Sequence, residues 1–210
     1  MKDRVIVALE RQYGSGGREI GKKLAQTLDI PFYDQELLAL AAKKSGMSEE
    51  YFQNVDETST NSFLYSLMSG AYMAGNPMDP TNAMPVNDKL FLLESNLIRE
   101  IAQKGSCVII GRCADYILQE DPDMISVFVH ADLEDRKRRA IEEYGEDAER
   151  IEEILKRQDK RRVSYYNFYT TQKWGQARNY DLCFNSGIGM EQSVALIQYW
   201  IEMKQRKGQR

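Results

Sequence analysis

Short apolar runs alternate with amphipathic segments along this chain. Residues 4–9 form a short β-branched apolar run, and residues 18–28 place Ile20, Leu24 and Leu28 on one face of a helix. The same alternation predicts further strands at 31–34, 106–110, 125–129 and 182–185, and further helices at 87–104, 132–144, 147–166 and 190–204. Because each strand is a continuous apolar run between helices, the pattern predicts an α/β fold with a doubly wound parallel sheet in three α/β/α layers.

A different composition interrupts this pattern between residues 45 and 88. The segment contains six acidic residues, no Lys or Arg, and five of the nine methionines of the chain. We interpret residues 48–86 as an insertion with its own short helices, which follows a predicted helix through residues 37–42. The whole chain, residues 1–210, is expected to be one domain, because domains usually contain roughly 100–200 residues.

Charge and cysteine content exclude several classes of function. The 210 residues carry 28 Lys and Arg against 32 Asp and Glu, a net charge of −4, whereas proteins that coat nucleic acid are usually basic.

The sequence contains no apolar run of about 18 residues, the length of a membrane span, and its first residues do not resemble a signal peptide. The three cysteines form no C-x-x-C pair and are expected to be free thiols in a reducing cytosol. We therefore expect a cytoplasmic protein without a nucleic-acid or membrane partner.

The candidate chemistry gathers where the predicted strands end. In a doubly wound sheet, ligands bind at the carboxyl ends of the strands. At those ends the sequence places a glycine-rich segment at 14–17, then Asp34, and then the pair Gly111-Arg112. Three glycines let the backbone turn tightly and direct N–H groups at an anion, and the following helix adds the positive end of its dipole. The strand–loop–helix context therefore predicts a phosphate-binding loop, with Arg18 as a cation beside it.

The spacing of this loop departs from the standard P-loop pattern, G-x-x-x-x-G-K-[ST]. Gln12 stands at the first Gly, Arg18 at the Lys, and Glu19 at the Ser or Thr that binds magnesium. A glycine loop that only caps a helix is therefore the alternative interpretation. A carboxylate beside bound phosphates is repulsive unless a metal ion lies between them, so Glu19 is either a magnesium ligand or a partner of Lys22 or Lys23.

Four segments together resemble the cytidylate kinase-like family of bacterial proteins, a divergent relative of cytidylate kinase and the other P-loop nucleoside monophosphate kinases. These segments read RQYGSGGREIGKKLA at 11–25, PFYDQELL at 31–38, IIGRCAD at 109–115, and WG followed by NYDLCFNS between 174 and 186. The resemblance covers nearly the whole chain and is weakest over the insertion. It implies a P-loop NTPase-type core that uses ATP and Mg²⁺, a monophosphate-binding insertion at 48–86 and a lid-type helical segment at 145–166.

The resemblance also implies roles for individual residues. The residues implied to bind the donor phosphates are Gln12, Tyr13, Gly14, Ser15, Gly16, Gly17, Arg18 and Glu19. The acceptor would be bound by Asp34, Arg99 and Arg112, while Arg18 and the lid residues Arg157, Arg161 and Arg162 would be catalytic. Of the D-T-G sequence of true cytidylate kinases only Asp34 is present, and of their G-R-D sequence only Gly111-Arg112, with Asp115 nearby.

Two segments leave alternatives open. For the cations Arg136, Lys137, Arg138 and Arg139, a solvated helix face is favoured over a place near the nucleotide. The aromatic segment at 165–175 overlaps a predicted irregular stretch at 167–179. We expect it to serve as a hydrophobic cover or a homodimer surface rather than to stack on a base.

The leading expectation is ATP-dependent phosphoryl transfer to a nucleoside monophosphate, with CMP or dCMP as first choice. Such transfer requires positioning and the neutralisation of charge, which the loop, a metal ion and the arginines of a closing lid supply. A different small-molecule acceptor is the first alternative, because the insertion lacks the arginines that usually clamp an acceptor phosphate. A nucleotide-binding regulatory protein without turnover is the second, because Arg18 and Glu19 alter the loop.

Overall fold

Five parallel strands form the centre of the computed structural model, which describes residues 4–34 and 86–208. The strands are β1 (Ile6–Arg11), β2 (Phe32–Tyr33), β3 (Cys107–Ile110), β4 (Met124–His130) and β5 (Leu182–Asn185). Their order across the sheet is β2-β3-β1-β4-β5, and every pairing is parallel. β1 lies in the middle, so that Ile6 pairs with Cys107 on one side and with Met124 on the other.

Helices connect these strands, and all but the short α3 lie where the apolar pattern predicts them. They are α1 (Gly17–Leu28), α2 (Val86–Lys104), α3 (Ala114–Ile117), α4 (Leu133–Glu142), α5 (Ile151–Tyr169) and α6 (Met190–Gly208). Short 3₁₀ turns occur at Ala148–Arg150, Ala177–Asn179 and Ser186–Ile188. The predicted helix at 37–42 and residues 48–85 of the predicted insertion lie outside the described residues.

The end of α5 corrects one prediction. The helix continues to Tyr169, three residues beyond the predicted end and into the stretch expected to be irregular. The physical reason is Tyr166, whose side chain is fully buried and whose hydroxyl donates to Asp115. This contact holds the last turns of α5 against the protein core.

The alternation of side chains along β1 creates the two faces of the sheet. Val7 and Leu9 belong to an apolar cluster with α1 and α6, whereas Ile6 and Ala8 belong to one with α2 and α3. Side chains of a strand point alternately to opposite sides, so the apolar residues 6–9 of β1 are buried on both faces of the sheet. The predicted doubly wound α/β fold in three layers is thereby confirmed.

Two helices extend this core at the carboxyl edge of the sheet. Ala140 of α4 packs with Ile151 and Leu155 of α5 in a small separate cluster. Tyr13 and Tyr144 are partly buried against the same cluster. The segment predicted to be lid-type is therefore packed directly on the residues that follow β1. In the described ranges, no helix combines the length and apolar character that crossing a membrane requires.

Candidate functional site

The loop between β1 and α1 has the geometry of an anion cradle. Gly14 and Gly16 adopt left-handed backbone angles, with φ of 76° and 74°, and the N–H of Ser15 donates to the carbonyl of Gln12 at 3.2 Å. α1 then begins at Gly17. Because the first N–H groups of a helix have no acceptor within the helix, they are available to an anion placed at this end.

The glycine at position 14 is required by packing as well as by its backbone angle. A Cβ atom there would lie only 2.6 Å from the carbonyl oxygen of Arg136 in α4. Any side chain would therefore push the loop away from α4. The close approach therefore gives Gly14 a packing role against α4 in addition to its turn.

Two arginines of α4 reach across to the loop backbone. Arg136 Nε donates to the carbonyl of Tyr13 at 2.7 Å, and Arg139 Nη1 donates to the carbonyl of Gly14 at 3.0 Å. The expectation of a solvated face is wrong for these two residues, because their spacing of three places both on the side of α4 that crosses the loop. Arg138, in contrast, is exposed and pairs with Asp135.

A single carboxylate links the loop, α4 and α5. Asp159 Oδ1 accepts from the backbone N–H of Tyr13 at 2.8 Å, and Asp159 Oδ2 pairs with Arg136 Nη2 at 2.5 Å. Both side chains of the ion pair are largely buried. The contact fixes α5 relative to the loop.

Two tyrosine–glutamate hydrogen bonds run in opposite directions between the loop region and the turn after α4. Tyr13 donates to Glu146 Oε1 at 2.5 Å, and Tyr144 donates to Glu19 Oε2 at 3.1 Å. The two rings pack edge to face with centroids 5.6 Å apart. Burial, reinforced by the neighbouring glutamates, raises the pKa of each tyrosine well above its usual value, so both hydroxyls remain donors. The sequence suggested magnesium or a lysine as the partner of Glu19, and in the structure its hydrogen-bond partner is Tyr144.

Arg18 and Asp34 are brought together at the same edge. Arg18 Nε donates to Asp34 Oδ2, although the residues come from α1 and from the end of β2. The Arg18 side chain is 50% exposed, so it remains accessible to a ligand. A cation predicted to bind the donor thus contacts a carboxylate predicted to bind the acceptor.

A small pocket opens beside the loop, at the carboxyl ends of β1 and β3. Its cavity volume is about 10 Å³, close to what one water molecule needs, and it is lined by Glu10, Arg11, Arg112, Arg162, Tyr165 and Tyr166. Arg162 Nη1 donates to the carbonyl of Arg11 at 2.9 Å, while Arg112 Nη1 lies 3.6 Å from Glu94 Oε1. Three guanidinium groups therefore converge on one cavity.

Comparison with known proteins identifies the family of the chain. The family model described as the cytidylate kinase-like family matches residues 6–188. The chain belongs to the cytidylate kinase-like family. No curated protein matches the chain.

Solved structures share the fold. An uncharacterized protein from Eubacterium ventriosum is 29% identical, with a TM-score of 0.70 over 95% of this chain and 99% of that one. Shikimate kinase from Bacteroides thetaiotaomicron is 17% identical, with a TM-score of 0.53 over 95% and 99% of the two chains. Shikimate kinase from Acinetobacter baumannii, in complex with shikimate, is 14% identical, with a TM-score of 0.51 over 98% and 96%. This family member therefore has the fold of P-loop kinases.

The arginines implied by the family resemblance lie in different places. Arg112 and Arg162 line the pocket. Arg157 is exposed and lies 3.9 Å from Glu153, Arg161 is exposed on α5, and Arg99 is exposed on α2, where it faces Asn96 at 3.5 Å. The structure thus brings two of these five arginines to the pocket.

A buried carboxyl group lies behind the pocket. Asp115 is 5% exposed, and its Oδ2 accepts from the hydroxyl of Tyr166 at 2.7 Å. Its Oδ1 has no hydrogen-bond partner among the residues that the structure describes. Burial, followed by the charge of Glu10, raises the pKa of Asp115 to about 7. Glu10 itself accepts from the indole of Trp174 at 3.1 Å.

Two residues of the aromatic segment pack against other elements of the protein, whereas Phe168 is exposed. Tyr169 stacks on Phe91 of α2 with centroids 4.2 Å apart, and Trp174 meets Phe128 of β4 edge to face at 5.0 Å. These contacts correspond to the hydrophobic cover that the sequence favours over base stacking.

The carboxylates beside the loop have the donor atoms that magnesium prefers. Glu19 and Asp34 both offer oxygen, the ligand type that Mg²⁺ takes in kinases. Within 4–34 and 86–208, no group of three or more His, Cys, Asp or Glu is arranged to hold a metal ion. A metal at this edge would therefore depend on phosphate oxygens and water for most of its ligands.

Sequence reasoning missed Arg11 and Tyr144, and it favoured a solvated face for Arg136 and Arg139. Arg11 carried a signal, because it is a charged residue that directly follows an apolar strand and directly precedes the glycine loop. For Arg136 and Arg139 the only signal was their spacing of three residues, which places them on one side of a helix. For Tyr144 the sequence contained no signal, since its hydrogen-bond partner Glu19 is 125 residues away.

Proposed function

We propose that this member of the cytidylate kinase-like family transfers the γ-phosphoryl group of ATP to a small anionic acceptor, with CMP or dCMP as first choice. One observation carries the proposal: the glycine loop and the pocket with three arginines adjoin at the end of β1. Arg11 lines the pocket, and the loop begins at the next residue. Donor and acceptor anions would therefore meet at one strand end, which is the requirement for direct transfer.

The donor phosphates would lie on the loop at residues 12–19. Backbone N–H groups at the start of α1 would bind phosphate oxygens, with Arg18 in the place of the P-loop lysine. Arg18 would exchange Asp34 for phosphate, which its exposed side chain supports. Magnesium, held through Glu19, would neutralise charge on the transferred group.

The acceptor would be addressed from the opposite side. Asp34, released from Arg18, would bind a hydroxyl group, and Arg112 would bind the anion. Arg99, Arg157 and Arg161 are exposed in this structure. Their proposed contribution therefore requires α5 or the acceptor to move towards them, as in kinases that close over their substrates.

Phosphoryl transfer from labelled ATP with magnesium to a panel of nucleoside monophosphates tests this proposal. We expect transfer to CMP or dCMP, at a rate that falls at least about 100-fold in Arg18→Ala, since loss of a loop cation removes charge stabilisation from the transition state. Arg206→Ala is the matched control, because Arg206 is exposed on α6 and pairs with Glu202. ATP binding without transfer to any acceptor would replace the kinase with a regulatory nucleotide-binding protein.

A non-nucleotide acceptor is the second candidate. The absence of Lys and Arg from residues 45–88 supports it, because that segment offers no cation for an acceptor phosphate. A hydroxylated carboxylic acid such as shikimate belongs in the same panel for that reason. Transfer to the carboxylic acid and not to any monophosphate would favour this candidate over CMP.

A further inference from the structure

We propose that Arg136 and Ser186 are positioning residues for the donor phosphates, because each fixes the direction of one N–H group in the glycine loop. The proposal deepens the kinase function and rests on it for the presence of phosphate on the loop. Neither side chain would touch the phosphate. Each would act through one peptide unit, so that the N–H groups of Gly14 and Gly16 donate to phosphate oxygens.

The geometry of the peptide unit connects these side chains to the loop N–H groups. In a trans peptide unit the carbonyl and the N–H point in opposite directions, and the peptide units of the loop are trans. A contact that holds the carbonyl of Tyr13 on one side therefore directs the N–H of Gly14 to the other. The same relation joins the carbonyl of Ser15 to the N–H of Gly16. Holding two carbonyls thus directs two N–H groups.

Arg136 holds the first of these carbonyls from α4. Its Nε donates to the carbonyl of Tyr13 at 2.7 Å, and its side chain is only 10% exposed. The ion pair with Asp159 keeps the guanidinium group in place. A charged donor on a carbonyl polarises the peptide unit, which makes the N–H of Gly14 a stronger donor. Arg136 therefore both directs and strengthens one N–H group of the loop.

Ser186 holds the second carbonyl from the turn after β5. Its hydroxyl oxygen lies 2.6 Å from the carbonyl oxygen of Ser15 and 3.2 Å from that of His130. A serine hydroxyl has one hydrogen to donate, and the shorter contact assigns it to Ser15. Ser186 is buried, so water has little access to this bond. The contact directs the N–H of Gly16 away from Ser186.

The order of the strands brings Ser186 to the loop, although 171 residues separate it from Ser15. β4 lies between β1 and β5, and Asn185 at the end of β5 pairs with His130 at the end of β4. The residues that follow β1 and β5 therefore meet at the carboxyl edge of the sheet. The positioning contact is a consequence of the parallel topology.

The carbonyl between these two is held as well. Arg139 Nη1 donates to the carbonyl of Gly14 at 3.0 Å, and the N–H of Ser15 closes the turn on the carbonyl of Gln12 at 3.2 Å. Three successive carbonyls of the loop thus accept from side chains outside it. Among the residues that the structure describes, the N–H groups of Gly14 and Gly16 have no acceptor. These two groups are therefore available to a phosphate.

ATP binding by a variant of Ser186 tests the proposal. Ser186→Ala removes the hydroxyl, and we expect it to raise the Kd of ATP roughly fivefold or more, because a misdirected N–H loses its bond to phosphate. Ser193→Ala is the matched control. Ser193 is also buried, and its hydroxyl donates at 2.6 Å to the carbonyl of Gly189, an acceptor outside the loop. This control should change the Kd of ATP less than about twofold, and thermal unfolding establishes that both variants are folded.

A second variant removes the contact from α4. Arg136→Gln should weaken the binding of pyrophosphate as well as of ATP, because the proposal concerns phosphate and not the base or the ribose. Arg138→Gln is its control, because Arg138 lies on the same helix and is exposed. In turnover, Ser186→Ala and Arg136→Gln should raise the KM of ATP and change the KM of the acceptor less than about twofold. A general loss of structure would not separate the two substrates.

The outcomes separate the positioning role from the kinase function. If Ser186→Ala and Arg136→Gln bind ATP as wild type does, or if Ser193→Ala weakens ATP binding as much as Ser186→Ala, the positioning role is wrong while the kinase function stands. A change in only one of the two variants would overturn the role of the other residue. If no acceptor is phosphorylated and both variants still bind ATP and pyrophosphate more weakly than their controls, the positioning role stands and the kinase function fails. Wild-type protein that binds neither ATP nor pyrophosphate would overturn both.

Discussion

The hydroxyl of Tyr144 donates to Oε2 of Glu19 at 3.1 Å, across the phosphate loop. Glu19 occupies the position at which a P-loop kinase has the Ser or Thr that binds magnesium. The same carboxylate oxygen is therefore available either to a tyrosine from the turn after α4 or to a metal ion. Variants of the two residues distinguish these uses.

Glu19→Gln should raise the magnesium concentration required for half-maximal phosphoryl transfer several-fold, because a neutral amide is a weaker ligand for a hard cation. Tyr144→Phe removes only the hydrogen bond. It frees Oε2 of Glu19, so the magnesium requirement should not rise, and it should lower the free energy of unfolding by about 1 kcal/mol. Magnesium titrations at saturating ATP measure the first effect and urea unfolding the second. Equal magnesium requirements in Glu19→Gln and wild type would exclude Glu19 as a metal ligand.

Gly14→Ala should destabilise the protein and weaken ATP binding together. The added Cβ would meet the Arg136 carbonyl at 2.6 Å in a left-handed backbone conformation. Strain at such positions costs about 1–3 kcal/mol, and overpacking adds a further amount. At Gly145 the backbone angle is similar but an added Cβ meets no atom within 4 Å. Gly145→Ala should therefore lose only the stability that the backbone strain costs, and the variant should bind ATP as wild type does. Urea unfolding and nucleotide titration compare the two, and similar losses in both variants would contradict the packing argument.

The Arg136–Asp159 pair should show energetic coupling. Their side chains are 10% and 18% exposed, and Asp159 also accepts from the N–H of Tyr13. We expect a double-mutant cycle with Arg136→Gln and Asp159→Asn to give a coupling of roughly 1–3 kcal/mol in the free energy of unfolding. The exposed pair Arg138–Asp135, on the same helix, should give less than about 0.5 kcal/mol. Additive losses at the buried pair would show that each residue acts alone.

Asp115 should make stability fall as the pH rises. Burial and Glu10 raise its pKa from 3.8 to about 7 in the folded protein. The folded state therefore retains a proton that the unfolded chain loses, and the contribution of this group to stability decreases between about pH 4 and pH 7. Asp115→Asn removes the titration and keeps an oxygen for the Tyr166 hydroxyl.

Urea unfolding at several pH values between 5 and 8 measures this effect. The stability of Asp115→Asn relative to wild type should increase with pH up to about pH 7 and then level off. Asp29→Asn is the control, because Asp29 is exposed in the left-handed conformation that Asn also adopts. A constant difference between Asp115→Asn and wild type would contradict the raised pKa.

The layers of the fold were predictable because they depend on local periodicity. The strand at 182–185 and the helix beginning near residue 87 follow from apolar residues a few positions apart. The end of α5 was not predictable, because Tyr166 is held by Asp115, 51 residues earlier in the sequence. α3 was also missed, since four residues are too few to show a helical period.

The candidate site also has one part that was predictable from local sequence and one part that depends on distant contacts. The glycine loop was evident from composition and from its place between a strand and a helix. Arg162 was grouped with the lid arginines, and the structure places it on the carbonyl of Arg11, 151 residues away. No pattern within one segment indicates which of several arginines on a helix will face a distant strand end. Such assignments depend on tertiary packing alone.

The central position of β1 has a consequence for the order in which the protein opens. Residues 6–9 are hydrogen-bonded to strands on both sides, and the pairing with β4 continues to Arg11. Amide groups so enclosed exchange their hydrogens only in rare, extensive openings, whereas edge elements fluctuate separately. Arg11 and the glycine loop are thus attached to the segment that we expect to be the last to lose its structure. Fraying of β5 or β2, at the two edges of the sheet, would leave Arg11 and the start of the glycine loop in place.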